Sequence, residues 1–460
     1  MQKMGVLSGI RHDFRENKEQ VKVAVNMAWP AVMESFFVAL AGMIDSLMVS
    51  SIGAYAVAAV GLTTQPKFIG LAIFIAVNVS VSAIVARRRG EKDRKGANQV
   101  LLMALMFVLV MGTIISVGMV GFADPMMHLS GSAPDTHEAA VIYFRIIMGC
   151  MMFNILSLVI NAAQRGSGNT KIAMRTNITS NVINVIGNFL LINGHFGFPA
   201  LGIRGAAIAT VFGTVVACGM SFCSIMDKDN FISIPYIIHE HIKPSLEEAK
   251  SMVKISSSVF LEQILLRIGF MSVSIMTAKL GTQAFAAHQV GMNVMSLSFS
   301  LGDGMQVAAV ALIGQSLGEK KPELAKTYGR LCRYMGGMIS VVLSLCYLLF
   351  GRFLFHLYFT EPEIIAMGVD IMKVMVFVVL LQVGQVIYMG CLRGAGDIWF
   401  TTVASTISVT LVRPIASYLF CYVFHIGLIG IWMGITCDQL CRYILTSIRF
   451  KSGKWTKIKI

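Results

Sequence analysis

Twelve apolar runs, each long enough to cross a lipid bilayer as a helix, constrain this chain more than any other feature. A transmembrane helix needs about 20 mostly apolar residues. The runs lie near 22–44, 55–86, 98–122, 137–160, 172–193, 201–225, 251–278, 283–315, 329–350, 364–390, 398–423 and 427–448. Only 13% of the residues are charged, against about 25% in an ordinary soluble domain. We therefore predict an all-α polytopic membrane protein with twelve transmembrane helices, and we exclude a soluble enzyme, a disordered chain and a nucleic-acid-binding domain.

The positions of the basic residues predict how these helices are oriented. The chain has 38 Lys and Arg against 24 Asp and Glu, a formal net charge of +14. If the N-terminus is cytoplasmic, 30 of the bases fall in cytoplasmic segments, three in outside loops and five within spans. Cytoplasmic loops of membrane proteins carry such an excess of Lys and Arg. Both termini are therefore predicted to be cytoplasmic, and the polar first 22 residues make a cleaved signal peptide unexpected.

The two halves of the sequence repeat each other at an offset of 228 residues. Matched positions include Glu34 with Glu262, Gly90 with Gly318, and Arg165 with Arg393. Six spans per copy bring both copies into the membrane in the same direction, as two parallel repeats around a central cavity. The predicted organisation is a cytoplasmic N-terminal segment (1–21), an N-lobe (22–225), a cytoplasmic linker (226–250), a C-lobe (251–448) and a basic cytoplasmic tail (449–460).

Six acidic residues lie within or at the ends of the apolar runs. They are Glu34, Asp45, Glu262, Asp303, Asp370 and Asp438. An ionisable group inside a span is costly and marks a functional site by default. Asp45 and Asp303 lack an acidic counterpart in the other copy, which favours them as ion-coupling residues. For Asp303 an acid at a helix end, or a partner for a buried base, is an equally good interpretation.

The remaining acids and the five bases within spans have plainer interpretations. Asp370 and Asp438 lie near span ends and are expected to be solvated. The bases are Lys67, Arg145, Arg267, Lys373 and Arg413. They either pair with the intramembrane acids, Glu262 with Arg267 for example, or line a path for an anionic lipid.

A stripe of asparagines marks the fifth span. Asn177, Asn181, Asn184 and Asn188 are three or four residues apart and share one face of a helix. Such a face is not expected to contact lipid. Hydrogen bonding between helices and a hydrated path for a cation both fit the stripe.

Signatures of an enzyme or of a bound cofactor are missing from the sequence. No phosphate-binding G-x-x-x-x-G-K-[ST] motif occurs, and the nine cysteines are scattered singly. We therefore expect that the protein is not an enzyme and needs no cofactor, and that it binds no metal other than a possible sodium ion.

Several motifs together resemble the multidrug and toxic compound extrusion (MATE) transporters. These are Trp29-Pro30, the segment 43–48 (MIDSLM), 286–290 (AAHQV), 312–318 (LIGQSLG) and 392–397 (LRGAGD). The likeness covers about residues 20–448. It implies a bacterial inner-membrane antiporter that uses alternating access and H⁺ or Na⁺ as coupling ion to export amphipathic, cationic drugs. The implied partners are such small molecules and the lipid bilayer, with no nucleic acid, and the protein is expected to be a monomer.

The resemblance also implies roles for residues of the N-lobe. Asp45 matches the first-span acid of the family's cation site, and Pro30 matches the proline at which that span bends. Asn184 and Thr210 match the asparagine and threonine of the same site. Asn188 stands where many bacterial members have an aspartate, so this chain lacks one charge of the usual network.

In the C-lobe, Glu262 matches the seventh-span glutamate of the sodium-coupled branch of the family. The tenth-span acid expected beside it is replaced by Gln382 or Gln385. These two glutamines and Glu34 are candidates for the substrate cavity. The alternative function is a flippase for an anionic lipid-linked precursor, which the intramembrane bases favour and the first-span acid disfavours.

Overall fold

The structure, a computed structural model, describes residues 17–458 apart from 53, 131, 133 and 357–360. Most of the predicted N-terminal segment (1–16) and the last two residues of the tail lie outside the described residues. Across the described part of the chain the secondary structure is helical, without a strand. This agrees with the predicted all-α class.

Sixteen α-helices, two π-helical segments and two short 3₁₀ turns make up the described chain. In order they are α1 (Lys18–Ser50), α2 (Ala54–Gly90), α3 (Arg94–Gly121), α4 (Ala123–Leu129), α5 (Pro134–Gly149), α6 (Met151–Gly166), α7 (Thr170–Ile192), a 3₁₀ turn (His195–Gly197), α8 (Ile203–Ile225), α9 (Ile234–His239), α10 (Leu246–Ala278), α11 (Thr282–Gly318), α12 (Pro322–His356), α13 (Pro362–Gly394), α14 (Ile398–Thr406), a π segment (Ile407–Val412), α15 (Arg413–Tyr418), a second π segment (Leu419–Val423), α16 (Leu428–Lys451) and a 3₁₀ turn (Lys454–Lys457).

The helices account for the twelve predicted spans. Within the described residues, nine helical stretches are long and apolar enough to cross a membrane, and α5 with α6, bent by 47°, makes a tenth. The fifth and twelfth spans are α7 and α16, which are helical but more polar, because α7 has the asparagine stripe and α16 contains Asp438 and Arg442. The predicted twelve-helix fold is confirmed.

The internal repeat is visible in the backbone as well as in the sequence. Lys92 and Lys320, 228 residues apart, both have φ of 59° in the turn after a long helix. Gly168 and Gly396, at the same offset, have φ of 94° and 86°. Positive φ is uncommon for L-residues, so the recurrence of the same turns at one offset confirms the duplication.

Close helix contacts recur at the same offset. A Cβ atom on Gly166 would lie 2.6 Å from the carbonyl oxygen of Ser82, and one on Gly394 would lie 2.5 Å from that of Val310. Ser82 and Val310 are themselves counterparts in the repeat. Glycine therefore allows α6 to approach α2 in one copy, and α13 to approach α11 in the other.

The described helices group into two compact units. The first unit is formed by residues 36–256, and the second unit by residues 257–460 together with the chain up to residue 35. Helix α1 thus contributes its N-terminal half, including Pro30, to the second unit and its C-terminal half, including Asp45, to the first. The lobe boundaries at 22–225 and 251–448 stay a prediction.

We predict that Gly394→Ala destabilises the protein by about 1–3 kcal/mol, because the added methyl group meets a backbone oxygen that cannot rotate away. The measurement is the thermal unfolding midpoint in detergent. Gly118→Ala is the matched control, since a Cβ on this α3 glycine meets nothing within 4 Å. It should unfold at or slightly above the wild-type midpoint. Equal midpoints for Gly394→Ala and wild type would contradict the close contact.

Candidate ion-coupling site

The candidate site in the first unit is built around a carboxylate on α1. Asp45 is half-buried, and its Oδ1 accepts a hydrogen bond of 2.6 Å from Nδ2 of Asn188 on α7. Asn188 is fully buried. The amide orients the carboxylate and compensates part of the cost of placing it among apolar helices.

A second hydrogen-bonded group lies one helical turn away on α7. Asn184 Nδ2 donates to Thr210 Oγ1 on α8 at 2.9 Å, and Thr210 Oγ1 donates to the carbonyl oxygen of Ala206 at 3.0 Å. The buried side chain of Tyr143 on α5 lies close to Thr210. Helices α1, α5, α7 and α8 of the first unit thus supply these polar groups.

Lys67 on α2 is the cation of this site. It is half-buried and interacts electrostatically with Asp45, although the two residues form no direct ion pair within 4 Å. The sequence left open whether Lys67 pairs with an acid or lines an anion path, and its position favours the acid. With Asn188 in place of a second aspartate, the site combines one negative and one positive side chain.

This arrangement can exchange one small cation. Asp45 can take up a proton or, with neighbouring oxygens, bind Na⁺. Asn188 Oδ1 is buried and has no hydrogen-bond partner, so it is a free oxygen beside the carboxylate. The structure brings together the predicted residues Asp45, Asn184, Asn188 and Thr210, and their role in ion coupling stays a prediction.

Glu262 in the second unit is held in a buried ion pair. Both of its carboxylate oxygens accept hydrogen bonds of 2.8 Å from Arg393 on α13, and Thr402 on α14 approaches it at 3.5 Å. The predicted pairing with Arg267 is therefore wrong. Arg393 lies between the predicted tenth and eleventh spans but is only 8% exposed, because α13 continues to Gly394 and packs there against α11.

Asp438 is also buried, contrary to its predicted solvated position. It has no exposed surface and pairs with Arg413 at 2.5 Å and with Arg442 at 2.9 Å. Its helix packs against the segment around Arg413, which covers the carboxylate. Asp370, by contrast, is solvated as predicted and pairs with Lys373 at 2.7 Å at the surface.

The other predicted residues belong to the second unit. Gln382 and Gln385 are buried on α13, and Gln385 Nε2 donates to Gln439 Oε1 at 3.4 Å. Glu34 is buried on α1, and Asp303 is half-buried on α11. Their predicted roles in the substrate cavity and in coupling stay predictions. Helix α1 runs through Pro30 without a break.

One group among the described residues could hold a metal ion, and it lies outside the candidate site. Asp124, His128 and His137 bring their ligand atoms within 4.8 Å of one another at the first unit's surface. His137 Nε2 lies 3.0 Å from Asp124 Oδ1, and this hydrogen bond lowers the pKa of the Asp124 carboxyl. The expectation of no cofactor stays a prediction.

Two residues of the site were not singled out as site residues from the sequence. Tyr143 is a lone tyrosine in an apolar run, and no local pattern distinguishes it from a packing residue. Lys67 was visible as a base within a span, but only the fold shows that it lies near Asp45.

Comparison with known proteins places this geometry in one family. The MatE family profile matches residues 30–190 and again residues 259–419. One relative, "Probable multidrug resistance protein NorM" of Thermotoga maritima, is 26% identical over 96% of this chain and 95% of its own length. Another, "Uncharacterized transporter YisQ" of Bacillus subtilis, is also 26% identical over 94% of each chain.

Solved structures share the fold. An outward-facing multidrug resistance MATE family transporter of the MOP superfamily matches with a TM-score of 0.87 and 22% identity, over 95% of this chain and 97% of that one. A MOP superfamily transporter from Pyrococcus furiosus, described as having a binding pocket of reverse polarity, matches with a TM-score of 0.86 and 22% identity over the same shares. At this identity the likeness shows the fold alone.

The family match covers more than half of the chain, falls once on each copy of the repeat and agrees with the motifs recognised in the sequence. The chain therefore belongs to the MatE family, and it is a multi-pass membrane transporter of small molecules rather than an enzyme.

Proposed function

We propose that this protein is a multidrug exporter of a bacterial inner membrane that exchanges amphipathic, cationic small molecules for an inward-moving H⁺ or Na⁺ bound at Asp45. The observation that carries the proposal is the hydrogen bond of 2.6 Å between Asn188 and Asp45. The names of the relatives support export of drugs. They give no support to the flippase alternative, which we do not propose.

Asp45 suits coupling because its negative charge is only partly compensated. In the ion-free state the carboxylate has one amide donor and a lysine that does not touch it. A bound cation changes the charge and the hydrogen bond at once, so it changes how α1 holds α7. Such a difference between two states is what allows a ligand to shift a conformational equilibrium.

Coupling also depends on α1, because this helix connects Asp45 with Pro30. This helix is continuous from Lys18 to Ser50 and contains Pro30 as well as Asp45. Proline removes one backbone hydrogen bond from the helix interior, which makes bending at that point cheaper. In the proposed cycle, ion binding at Asp45 favours a bent α1 and lowers the affinity for the exported molecule.

The free energy released by ion entry is sufficient to drive a large gradient of the exported substrate. One charge moving down 100 mV releases about 2.3 kcal/mol, and a tenfold ion gradient adds about 1.4 kcal/mol. Their sum supports a several-hundred-fold gradient of a neutral substrate, and less for a cation that leaves against the potential.

Glu262 is less suited to carry the coupling ion. Arg393 occupies both of its carboxylate oxygens inside the packed second unit, so a cation would have to displace a guanidinium. Separating a buried pair leaves an uncompensated charge. We assign Glu262 to holding α10 against α13.

We predict that Asp45→Asn lowers ion-driven ethidium efflux from proteoliposomes by about tenfold or more, because the amide cannot bind a transported cation. Asp370→Asn is the matched control, since it makes the same substitution at an exposed acid and should transport at the wild-type rate. Gradient-dependent efflux that survives in Asp45→Asn would refute the proposal.

We predict that Glu262→Gln lowers stability in detergent by about 3–5 kcal/mol, because it leaves Arg393 buried without its partner. The double variant Glu262→Gln with Arg393→Met should recover most of this loss. Glu323→Gln, which breaks an exposed pair with Lys326, should cost about 0–1 kcal/mol. If Glu262→Gln unfolds like wild type yet loses ion-driven efflux, Glu262 is a coupling residue and our assignment is wrong.

A further inference from the structure

A polar cavity lies inside the first unit, away from Asp45. Its volume is about 60 Å³, and seven of its nine lining residues are polar. The polar residues lie on α6, α7 and α8 and include Ser157, Asn161, Arg165, Asn177, Ser180 and Thr214. Nothing in the sequence predicted this cavity.

The chemistry of the lining suits water better than a metal ion or a drug. A water molecule needs roughly 10–15 Å³ of such space and two to four polar partners, so the cavity can hold up to about four. No lining residue is a carboxylate, a histidine or a cysteine, the side chains that hold most metal ions in proteins. The volume is also far below the roughly 300 Å³ of a small-molecule site.

One wall of the cavity is a closed hydrogen-bonded ring of buried side chains. Ser157 Oγ and Ser221 Oγ are 2.9 Å apart, Asn161 Nδ2 donates to Ser157 at 3.3 Å, and Ser221 donates to Asn161 Oδ1 at 3.2 Å. This ring keeps the polar lining in place without needing the cavity water. Arg165, in the last turn of α6, lies at the end of the unit that the basic loops predict to be cytoplasmic.

A line of polar side chains on two helices extends from the cavity towards Asp45. On α7 the asparagine stripe runs from Asn177, in the cavity lining, to Asn188, which binds Asp45. At 1.5 Å per residue these eleven residues span about 16 Å. On α8, Thr214 lines the cavity and Thr210, one turn away, binds Asn184.

Two atoms along this line of side chains are buried without a hydrogen-bond partner. They are Nδ2 of Asn181 and Oδ1 of Asn188. A buried polar group without a partner is costly and commonly marks a position where an ordered water binds. Both atoms lie on the stripe between the cavity and Asp45, so waters there would extend the cavity water towards the carboxylate.

We propose that this cavity and the asparagine stripe form a water-filled route that carries protons between Asp45 and the Arg165 end of the first unit, and that the coupling ion is therefore H⁺. The proton leaves the Asp45 carboxyl for an adjacent water. Each water in turn accepts one proton and donates another, and the last proton passes to bulk solvent. The asparagines and hydroxyls orient the waters. This inference rests on the proposed function, because it takes Asp45 as the coupling residue.

The test fills the cavity without removing a polar group. Ala217, which is buried and lines the cavity, is replaced by Leu, and Ala217→Ser is the matched control that keeps the space open. Proteoliposomes loaded with a pH-sensitive dye report proton movement during ethidium exchange, and ethidium affinity is measured separately in detergent. We expect Ala217→Leu to slow both proton movement and efflux by about tenfold with ethidium affinity unchanged, and Ala217→Ser to match wild type.

A second variant covers the case in which Ala217→Leu does not fold. Asn181→Leu interrupts the middle of the stripe and removes an amide whose Nδ2 has no partner, so it should keep the wild-type unfolding midpoint and still slow proton movement. Wild-type rates in a folded Ala217→Leu or Asn181→Leu variant would overturn the route.

Imposing a Na⁺ gradient in place of the proton gradient tests the ion itself. We expect no efflux, and efflux driven equally well by Na⁺ would overturn the choice of H⁺. The two proposals fail separately: coupled efflux in Asp45→Asn refutes the proposed function, whereas loss in Asp45→Asn with wild-type rates in both route variants refutes the route alone.

Discussion

A single carboxylate, held by one amide inside a bundle of apolar helices, is the interaction on which the proposed transport cycle depends. Placing an ionised carboxyl group at membrane depth costs free energy unless polar neighbours hydrogen-bond to it or balance its charge. Asn188 provides a direct contact and Lys67 a more distant charge, so Asp45 is stabilised but still open to a cation. The buried acids Glu262 and Asp438 contact arginine directly, and so do the buried acids Glu248 and Asp397.

The surroundings of Asp45 therefore differ chemically from those of Glu262 and Asp438, although the two units arose by duplication. Amides and hydroxyls surround Asp45, whereas carboxylate–arginine pairs join helices in the second unit and, at Arg88 and Glu248, near the end of α2 in the first. Uncharged groups of this kind can exchange partners with water at low cost, which suits a path for an ion. The ion pairs of the second unit are suited to keeping its helices packed together while the transporter changes conformation.

Much of the fold could be predicted from the sequence, because span length and the 228-residue repeat are properties of the chain itself. The polar stripe of α7 was visible for the same reason: spacing along one helix fixes which side chains share a face. The resemblance then connected Asp45, Asn184 and Thr210 across three helices. The contact of Arg393 could not be predicted, because it lies near a span end, where only the packing of neighbouring helices decides between solvent and interior. Asp438 lies in the middle of the run 427–448, so its burial follows from its position, and only the identity of its arginine partners depends on the packing. The cavity beside α7 depends on three helices at once and leaves no pattern in any one of them.

In the proposed cycle, Asp45 holds the coupling proton and gives it up when a drug binds. The most direct test of this step is the number of protons released into weakly buffered detergent solution when ethidium is added to the purified protein. We expect the wild type to release protons at a pH where Asp45 is protonated, and Asp45→Asn to release none at the same ethidium occupancy. Equal release from both proteins would contradict it.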